Sequence, residues 1–358
     1  MRSSEQNLVG LDSAALERLV QERGAPAYRG RQLYRWIYVR GTADFEQMHT
    51  LPADLRGELQ ARHAVRWPAV VERYSSSDGT EKFLLQLEDG LRIESVAIPR
   101  LGRRTYCIST QVGCAMGCRF CRTAQMGLER NLTAGEIAGQ VLVLQSIFGA
   151  EPSRKNIVFM GMGEPLANFD QVARALELLF DPAGLAFAPR RVTLSTVGLV
   201  PGIDRLGRLP RRPKLAVSLS ASTDAARAQL MPIDRRYPLA ELFAALRRYP
   251  LGPRERITFE YVLLAGVNDS AADAARLVRL LAGLRSKVNL IPFNPAPDLD
   301  FEMSPRERME AFQQVLLQAG LAATIRESRG REILGACGQL AALRTNRSAA
   351  AREPALTP

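Results

Sequence analysis

The sequence predicts an α/β protein in which a partial barrel of six βα units follows a small N-terminal helical domain and a β-hairpin extension. Three observations predict it. Helical periodicity punctuated by Gly24, Gly41 and Pro52 fills the first part of the chain. Short alternating segments follow between Arg66 and Ile98. From Thr105 onward, strand-like runs alternate with amphipathic helical ones, which implies a parallel sheet with helices outside it; six units suit an open barrel better than a closed eightfold one.

Taken in order, "SAALERLVQERG", "YRGRQLYRWIYVRG" and "PADLRGELQARH" read as three helices of a domain spanning 1–65. The segments "VVERYSSSDGTEKFLLQL" and "LRIESVAIP", with a turn at Asp78-Gly79, read as a hairpin extension over 66–100. The barrel occupies 101–342, with strands expected at Tyr106–Thr110, Asn156–Met160, Arg191–Ser195, Leu215–Ser218, Ile257–Leu263 and Val288–Ile291. Thr133 and Glu136 form a capping box that opens the first barrel helix, and Gly149 closes it. A tail over 343–358, rich in Ala, Arg, Pro and Ser, is expected to be disordered.

The chain has 358 residues, 46% hydrophobic and 24% charged, which is ordinary globular usage. No apolar run approaches the ~20 residues of a membrane span. The opening "MRSSEQNLVGLDS" lacks the apolar segment of a signal peptide, so a cytoplasmic protein without membrane contact is expected. A net charge of +11 points to a polyanionic partner, nucleic acid first. Basic residues cluster at Arg100/Arg103/Arg104, at Arg205/Arg208/Arg211/Arg212/Lys214 and at Arg326/Arg329/Arg331. A bias in usage is the competing explanation, since Lys82, Lys155, Lys214 and Lys287 are the only lysines.

Four of the five cysteines fall within "YCISTQVGCAMGCRFCRTAQ", and Cys114, Cys118 and Cys121 are spaced C-x3-C-x2-C. In barrels of this type function sits on loops at the carboxyl ends of strands, and this loop follows the first strand. A [4Fe–4S] cluster takes four ligands; held by three cysteines, it keeps one iron open for a substrate or cofactor. Zinc is the alternative, but structural zinc wants four closed ligands. The two histidines, His49 and His63, lie far off in the helical region and read as ordinary surface or core residues.

With Phe120 before the last cysteine, this loop resembles that of the radical S-adenosylmethionine (SAM) superfamily, whose cluster cleaves SAM to a 5′-deoxyadenosyl radical. In order, "QVGCAMGCRFCRTAQMGLERNLTAGEIAGQV", "GMGEPLAN", "RRVTLSTVG", "NLIPFNP" and "ACGQL" resemble the segments of the RlmN/Cfr family of RNA adenine methyltransferases, and the likeness runs from Leu16 to Leu340.

The resemblance implies a [4Fe–4S] cluster on Cys114, Cys118 and Cys121. It implies SAM contacts from Gly163, Glu164, Ser195, the Ser218–Leu219–Ser220 stretch and Asn294. Carbon 2 of adenine is too poor a nucleophile to take a methyl from a sulfonium directly, and the family's answer is a relay. Cys337 would take a methyl from one SAM; a second SAM would supply the radical that activates it. The resulting carbon would add to the base, and Cys107 would resolve the crosslink through a transient disulfide with Cys337. Glu94 matches the proton acceptor. On the residues alone the plainer readings prevail, Cys107 as a buried small hydrophobe and Glu94 as a solvated strand residue.

The implied substrates are 23S rRNA, at the peptidyl transferase centre, and tRNA. A one-electron reductant such as flavodoxin or ferredoxin, and a monomeric state, complete the expectation. The sequence departs from the family at "SLSA", where "SLHA" is usual, and at Arg331, where an acid is common. Alternatives are Cfr-like methylation of carbon 8, a radical SAM enzyme acting on a peptide or small molecule, and an iron–sulfur electron carrier or RNA-binding scaffold with Cys107 or Cys337 as fourth ligand. Arg103 and Arg104 are expected on the RNA face.

Overall fold

The structure, a computed structural model, describes residues 5–149, 154–296 and 299–341. The tail expected to be disordered, 343–358, lies outside the described residues. At the N-terminus, β1 (Gln6–Asn7) leads into α1 (Ser13–Gln21), which starts where the Asp12 carboxylate accepts from the Ala15 N–H at 2.7 Å. Helix α2 (Tyr28–Tyr38) and α3 (Ala53–Arg62) follow, and β2 (His63–Ala64) returns to pair in parallel with β1. Leu16, Leu19, Leu33, Ile37, Leu55 and Leu59 point inward from the three helices. His63 is buried with its Nε2 2.6 Å from the Arg23 guanidinium, and burial followed by that cation lowers its pKa, as befits a neutral core imidazole.

The rest of the chain runs β3 (Ala69–Ser75), β4 (Glu81–Gln86), β5 (Arg92–Arg100), β6 (Arg103–Cys107), β7 (Gln111–Gly113), α4 (Arg122–Gln125), β8 (Leu128–Asn131) and α5 (Ala134–Phe148). It continues with β9 (Lys155–Phe159), α6 (Phe169–Phe180), β10 (Val192–Thr196), α7 (Val200–Gly207), β11 (Lys214–Ser218), α8 (Asp224–Leu230) and α9 (Leu239–Arg248). Last come β12 (Ile257–Leu263), α10 (Ala271–Leu281), β13 (Ser286–Pro292), α11 (Arg306–Gln318) and β14 (Ala323–Ile325). The capping box stands as expected: Thr133 Oγ1 accepts from the Glu136 N–H at 3.1 Å while Glu136 Oε2 accepts from the Thr133 N–H at 2.8 Å. Gly149 ends that helix at φ 61°.

One sheet of ten strands, ordered β14-β13-β12-β11-β10-β9-β6-β5-β4-β3, organises the molecule. All six expected barrel strands are present and parallel, and the sheet stays open rather than closing on itself. The hairpin is continuous with it: β5 pairs antiparallel with β6, setting Val96 against Cys107. Several short elements escaped the sequence reading, β14 and the β7–β8 pair among them. The three-residue β14 adds a seventh parallel strand, too short and too exposed to show a period. The first barrel strand ends at Cys107, not Thr110, because the chain turns out to form β7, which pairs with β8. Leu8, at one end of the chain, and Leu340, at the other, share one continuous apolar core. Among the described residues no helix is long and apolar enough to cross a membrane.

At the carboxyl ends of the strands one buried ion pair ties the barrel together. Arg227 is fully buried; its guanidinium donates to Asp234 Oδ1 at 2.9 Å and to the Val197 carbonyl, just past β10, at 2.6 Å. Asp234→Ala would strand that cation without its partner, an arrangement that costs about 3–5 kcal/mol. Urea unfolding of the variant is expected to show a loss of that order, and a loss below about 1 kcal/mol would remove the pair from the supports of the barrel mouth.

Candidate active site

The three cysteines occupy a loop clasped at its base. Strands β7 and β8 pair on either side of it, and the Cys114 N–H donates to the Gly127 carbonyl at 2.8 Å. Gly113 makes the clasp possible: its φ is +78°, and a Cβ there would lie 1.9 Å from the Gly127 oxygen. Cys114 and Cys118 are buried and Cys121 is half-buried, at the start of α4. Burial pushes the Cys114 thiol up to about 12, and burial followed by the nearness of Cys121 and Cys114 raises Cys118 well above an ordinary thiol.

Beside this loop opens a cleft of about 160 Å³. Its lining joins Cys118 and Cys121 to Gly163, Glu164, Ser195, Ser218, Ser220, Asn294 and Cys337, residues spread over 220 positions of sequence (118 to 337). Gly163, at φ +99°, passes so close to Gln111 that a Cβ would fall 2.6 Å from that side chain. Glu164 is buried; its carboxylate accepts from the Leu166 and Val197 N–H groups at 3.0 and 2.9 Å. Desolvation nevertheless outweighs those donors and pushes its pKa up to about 7. Ser220 holds a left-handed φ of 49°, fixed by the Asn268 side chain donating to its carbonyl at 2.7 Å. Leu219 is the exception: its side chain packs into the core and does not reach the cleft.

Cys337 arrives on a C-terminal strap buttoned to the barrel mouth. The Arg122 N–H donates to the Gly338 carbonyl at 2.8 Å, Thr123 Oγ1 to the Leu340 carbonyl at 2.6 Å, and Asn294 Nδ2 to the Cys337 carbonyl at 3.2 Å. Gln339 Nε2 donates to the Pro295 carbonyl at 2.8 Å. Glu94 secures the far end, accepting from the Ala341 N–H at 2.8 Å through Oε2 while Lys82 Nζ meets Oε1 at 2.8 Å. That carboxylate is buried and outside the cleft lining, not a solvated strand residue.

Cys107, at the end of β6, is buried; burial and then the proximity of Cys337 raise its thiol, while Arg326 opposes the rise. Cys337 is open to solvent from the cleft, its thiol raised by desolvation and drawn back by Arg326. All five cysteines are free thiols here.

Sequence reasoning passed over Arg227, Glu260 and Arg326 as members of this site. Glu260 did leave a signal, a lone acid inside the apolar strand "ITFEYVL". The three basic clusters fall at different places on the sheet. Arg103 and Arg104 begin β6, at the end of the strand opposite Cys107, and Lys214 likewise begins β11. Arg326 follows the carboxyl end of the parallel strand β14 and stands beside Glu260 of the cleft, whereas Arg329 Nη1 donates at 3.1 Å to the carbonyl of Pro99, the residue that pairs with Arg104.

The donor set fits a cubane cluster. Three thiols share one clasped loop, two of them bearing on the charge of the third, which matches the three protein ligands of a cluster that keeps one iron open.

Residues 108–278 match the Radical SAM superfamily, and residues 6–65 match the Ribosomal RNA large subunit methyltransferase N-terminal domain. A crystal structure of a radical SAM methyltransferase from Sphaerobacter thermophilus superposes with a TM-score of 0.90 at 47% identity, covering 94% of this chain and all of that one. Fold and cleft together define a radical SAM methyltransferase. The chain is 50% identical over 329 residues to the dual-specificity RNA methyltransferase RlmN of Syntrophobacter fumaroxidans, covering 91% of this chain and 95% of the relative. It is 49% identical over 342 residues to the RlmN of Rhodospirillum rubrum, covering 93% and 80%. The chain belongs to the RlmN family of radical SAM RNA methyltransferases, which sets aside the electron-carrier and non-RNA readings.

Proposed function

We propose that the protein methylates carbon 2 of an adenosine in 23S rRNA, at the peptidyl transferase centre, and in tRNA, through a methyl-cysteine relay that consumes two SAM per turnover. One observation carries this reading: the strap brings Cys337 into the same cleft as Cys118, Cys121 and Glu164. A carbon target that resists direct transfer needs a side chain able to take a methyl and present it, and a cleft-facing thiol meets that need.

In this reading Cys114, Cys118 and Cys121 hold a [4Fe–4S] cluster, which supplies the electron that cleaves SAM, fed by a reductant of the flavodoxin or ferredoxin class. Gly163, Glu164, Ser195, the Ser218–Ser220 stretch and Asn294 bind SAM, with Glu164 facing its ammonium; Leu219 contributes through its backbone. Cys337 Sγ accepts the methyl group and, once activated, bonds through it to carbon 2. Glu94 takes the proton from that carbon; each of its engaged oxygens retains a further lone pair. Cys107 then gives up its thiol proton and its Sγ attacks Cys337 Sγ, forming the disulfide as the bond from Cys337 Sγ to the methylene carbon breaks; that carbon takes up a proton to become the methyl group, and the electron left over from the radical addition would return to the cluster. Residues 1–65 serve RNA binding, 66–100 extend the sheet, and 101–342 carry the chemistry. A monomer in the cytoplasm completes the reading.

Nucleoside mass spectrometry of RNA from a strain lacking the gene tests it. Loss of 2-methyladenosine from rRNA and tRNA is the expected result. Loss of 8-methyladenosine instead would move the target to the other side of the ring.

RNA affinity is expected to depend steeply on salt, and this reading assigns that dependence to the basic residues of the segment that leads into the strap. Arg329→Gln combined with Arg331→Gln should flatten the log–log salt slope by ~0.7–0.9 for each phosphate no longer neutralised. Arg103→Gln combined with Arg104→Gln, at the opposite end of β6, should leave the slope in place. Filter binding across a salt series reads both, and the reverse pattern would move the RNA to the other end of the sheet.

A further inference from the structure

Glu260 is the one acidic side chain of β12, and it lies 5% exposed against the cleft. Its Oε1 accepts from Asn289 Nδ2 at 2.9 Å, which fixes the carboxylate in place. Its Oε2 is buried and has no hydrogen-bond partner among the described residues. The nearest cation, Arg326 Nη1, stands 3.8 Å away, close enough to form an ion pair but too far to donate. Among the described residues the Arg326 guanidinium has no hydrogen bond of its own, though Glu260, Cys107 and Cys337 all act on its charge. A buried acceptor and a charged donor thus stand side by side with a gap between them, beside both thiols of the relay. Leaving such an oxygen unpaired is costly, so the arrangement suits a ligand that donates to one group and accepts from the other.

We propose that Glu260 and Arg326 read the Watson–Crick edge of the target adenine, Glu260 accepting from the exocyclic amino group and Arg326 donating to ring nitrogen 1. The proposal rests on the functional reading above and adds to it the groups that select the base. A flipped base is read by hydrogen bonds to that edge, and adenine offers a donor next to an acceptor there. Guanine reverses the order, setting an oxygen against the carboxylate and an N–H against the guanidinium, so the pair rejects it. Nitrogen 1 rather than nitrogen 7 is assigned because carbon 2 is bonded to nitrogen 1. Arg326 is the charged neighbour of Cys337, so this edge turns carbon 2 toward the thiol. A hydrogen bond at nitrogen 1 also draws electron density from carbon 2 and prepares it for addition.

SAM carries an adenine too, and the experiment separates the two sources. Reconstituted enzyme is given short RNAs carrying adenosine or purine riboside, which lacks the amino group, at the target position. Glu260→Gln should lower kcat/KM about 10- to 100-fold on the adenosine RNA and cause no further loss on the purine riboside RNA. Its SAM affinity, and the mass of the methylated Cys337 peptide, should match those of the unsubstituted enzyme. The same cycle with Arg326→Gln and 1-deazaadenosine should cancel likewise.

Equal losses on both RNAs would mean a structural role and overturn the proposal. Weakened SAM binding would overturn it as well, by assigning the pair to the adenine of SAM. Turnover of the unsubstituted enzyme on adenosine RNA tests the functional reading separately, because no substitution enters that measurement.

Discussion

A Cys107→Ala enzyme supplied with SAM, a reductant and RNA is expected to accumulate a covalent protein–RNA species that survives a denaturing gel, while release of methylated RNA stops. The variant keeps Cys337 and the cleft, so it can take the methyl group and attack the base. It lacks only the thiol that would displace the base from Cys337. Cys107 is suited to that single step. It is buried at the end of β6, close enough to Cys337 for that thiol to add to the rise that burial causes, with Arg326 drawing both thiols back. Cys337→Ala should give the opposite phenotype, with neither adduct nor product, because nothing accepts the first methyl. Normal turnover by Cys107→Ala without an adduct would end the resolving role.

Cys118→Ala is expected to reduce bound iron from about four per chain to near zero after anaerobic reconstitution, and with it all 5′-deoxyadenosine formation. Of the three loop cysteines, Cys118 is the most tightly surrounded, raised by burial and by both of its partners. Replacing it removes one thiolate from a set that has no spare on its loop. Iron analysis and product chromatography read the outcome, and a variant that retained a SAM-cleaving cluster would overturn the ligand assignment.

Much of this architecture was legible because it is locally encoded. Six apolar strand runs, the Thr133–Glu136 box and the cysteine spacing each declare themselves within a few residues, and all six strands are found. What could not be read depends on pairing across the chain. Strand β14 has three residues and owes its existence to β13, and the β7–β8 clasp turns on a glycine carbonyl fourteen residues from Gly113 (127 − 113 = 14). The hairpin looked separate because nothing in its own alternation says that β5 pairs with β6. In the site, motif spacing located the cysteines and the Gly163–Glu164 turn. Glu260 and Arg326 carry no motif; they acquire meaning only when β12 and β14 set them 3.8 Å apart. Charge density along a sequence does not say which end of a strand it occupies, and Arg103 and Arg104 begin β6 at the end away from Cys107.

The strap that carries Cys337 is fastened to the residues immediately after Cys121, through the Arg122 N–H and the Thr123 hydroxyl. Metal loading and nucleophile placement therefore share one hinge pin. A substitution that disturbs the backbone at Arg122, or removes the Thr123 hydroxyl, would therefore be felt at Cys337 although neither residue lines the cleft.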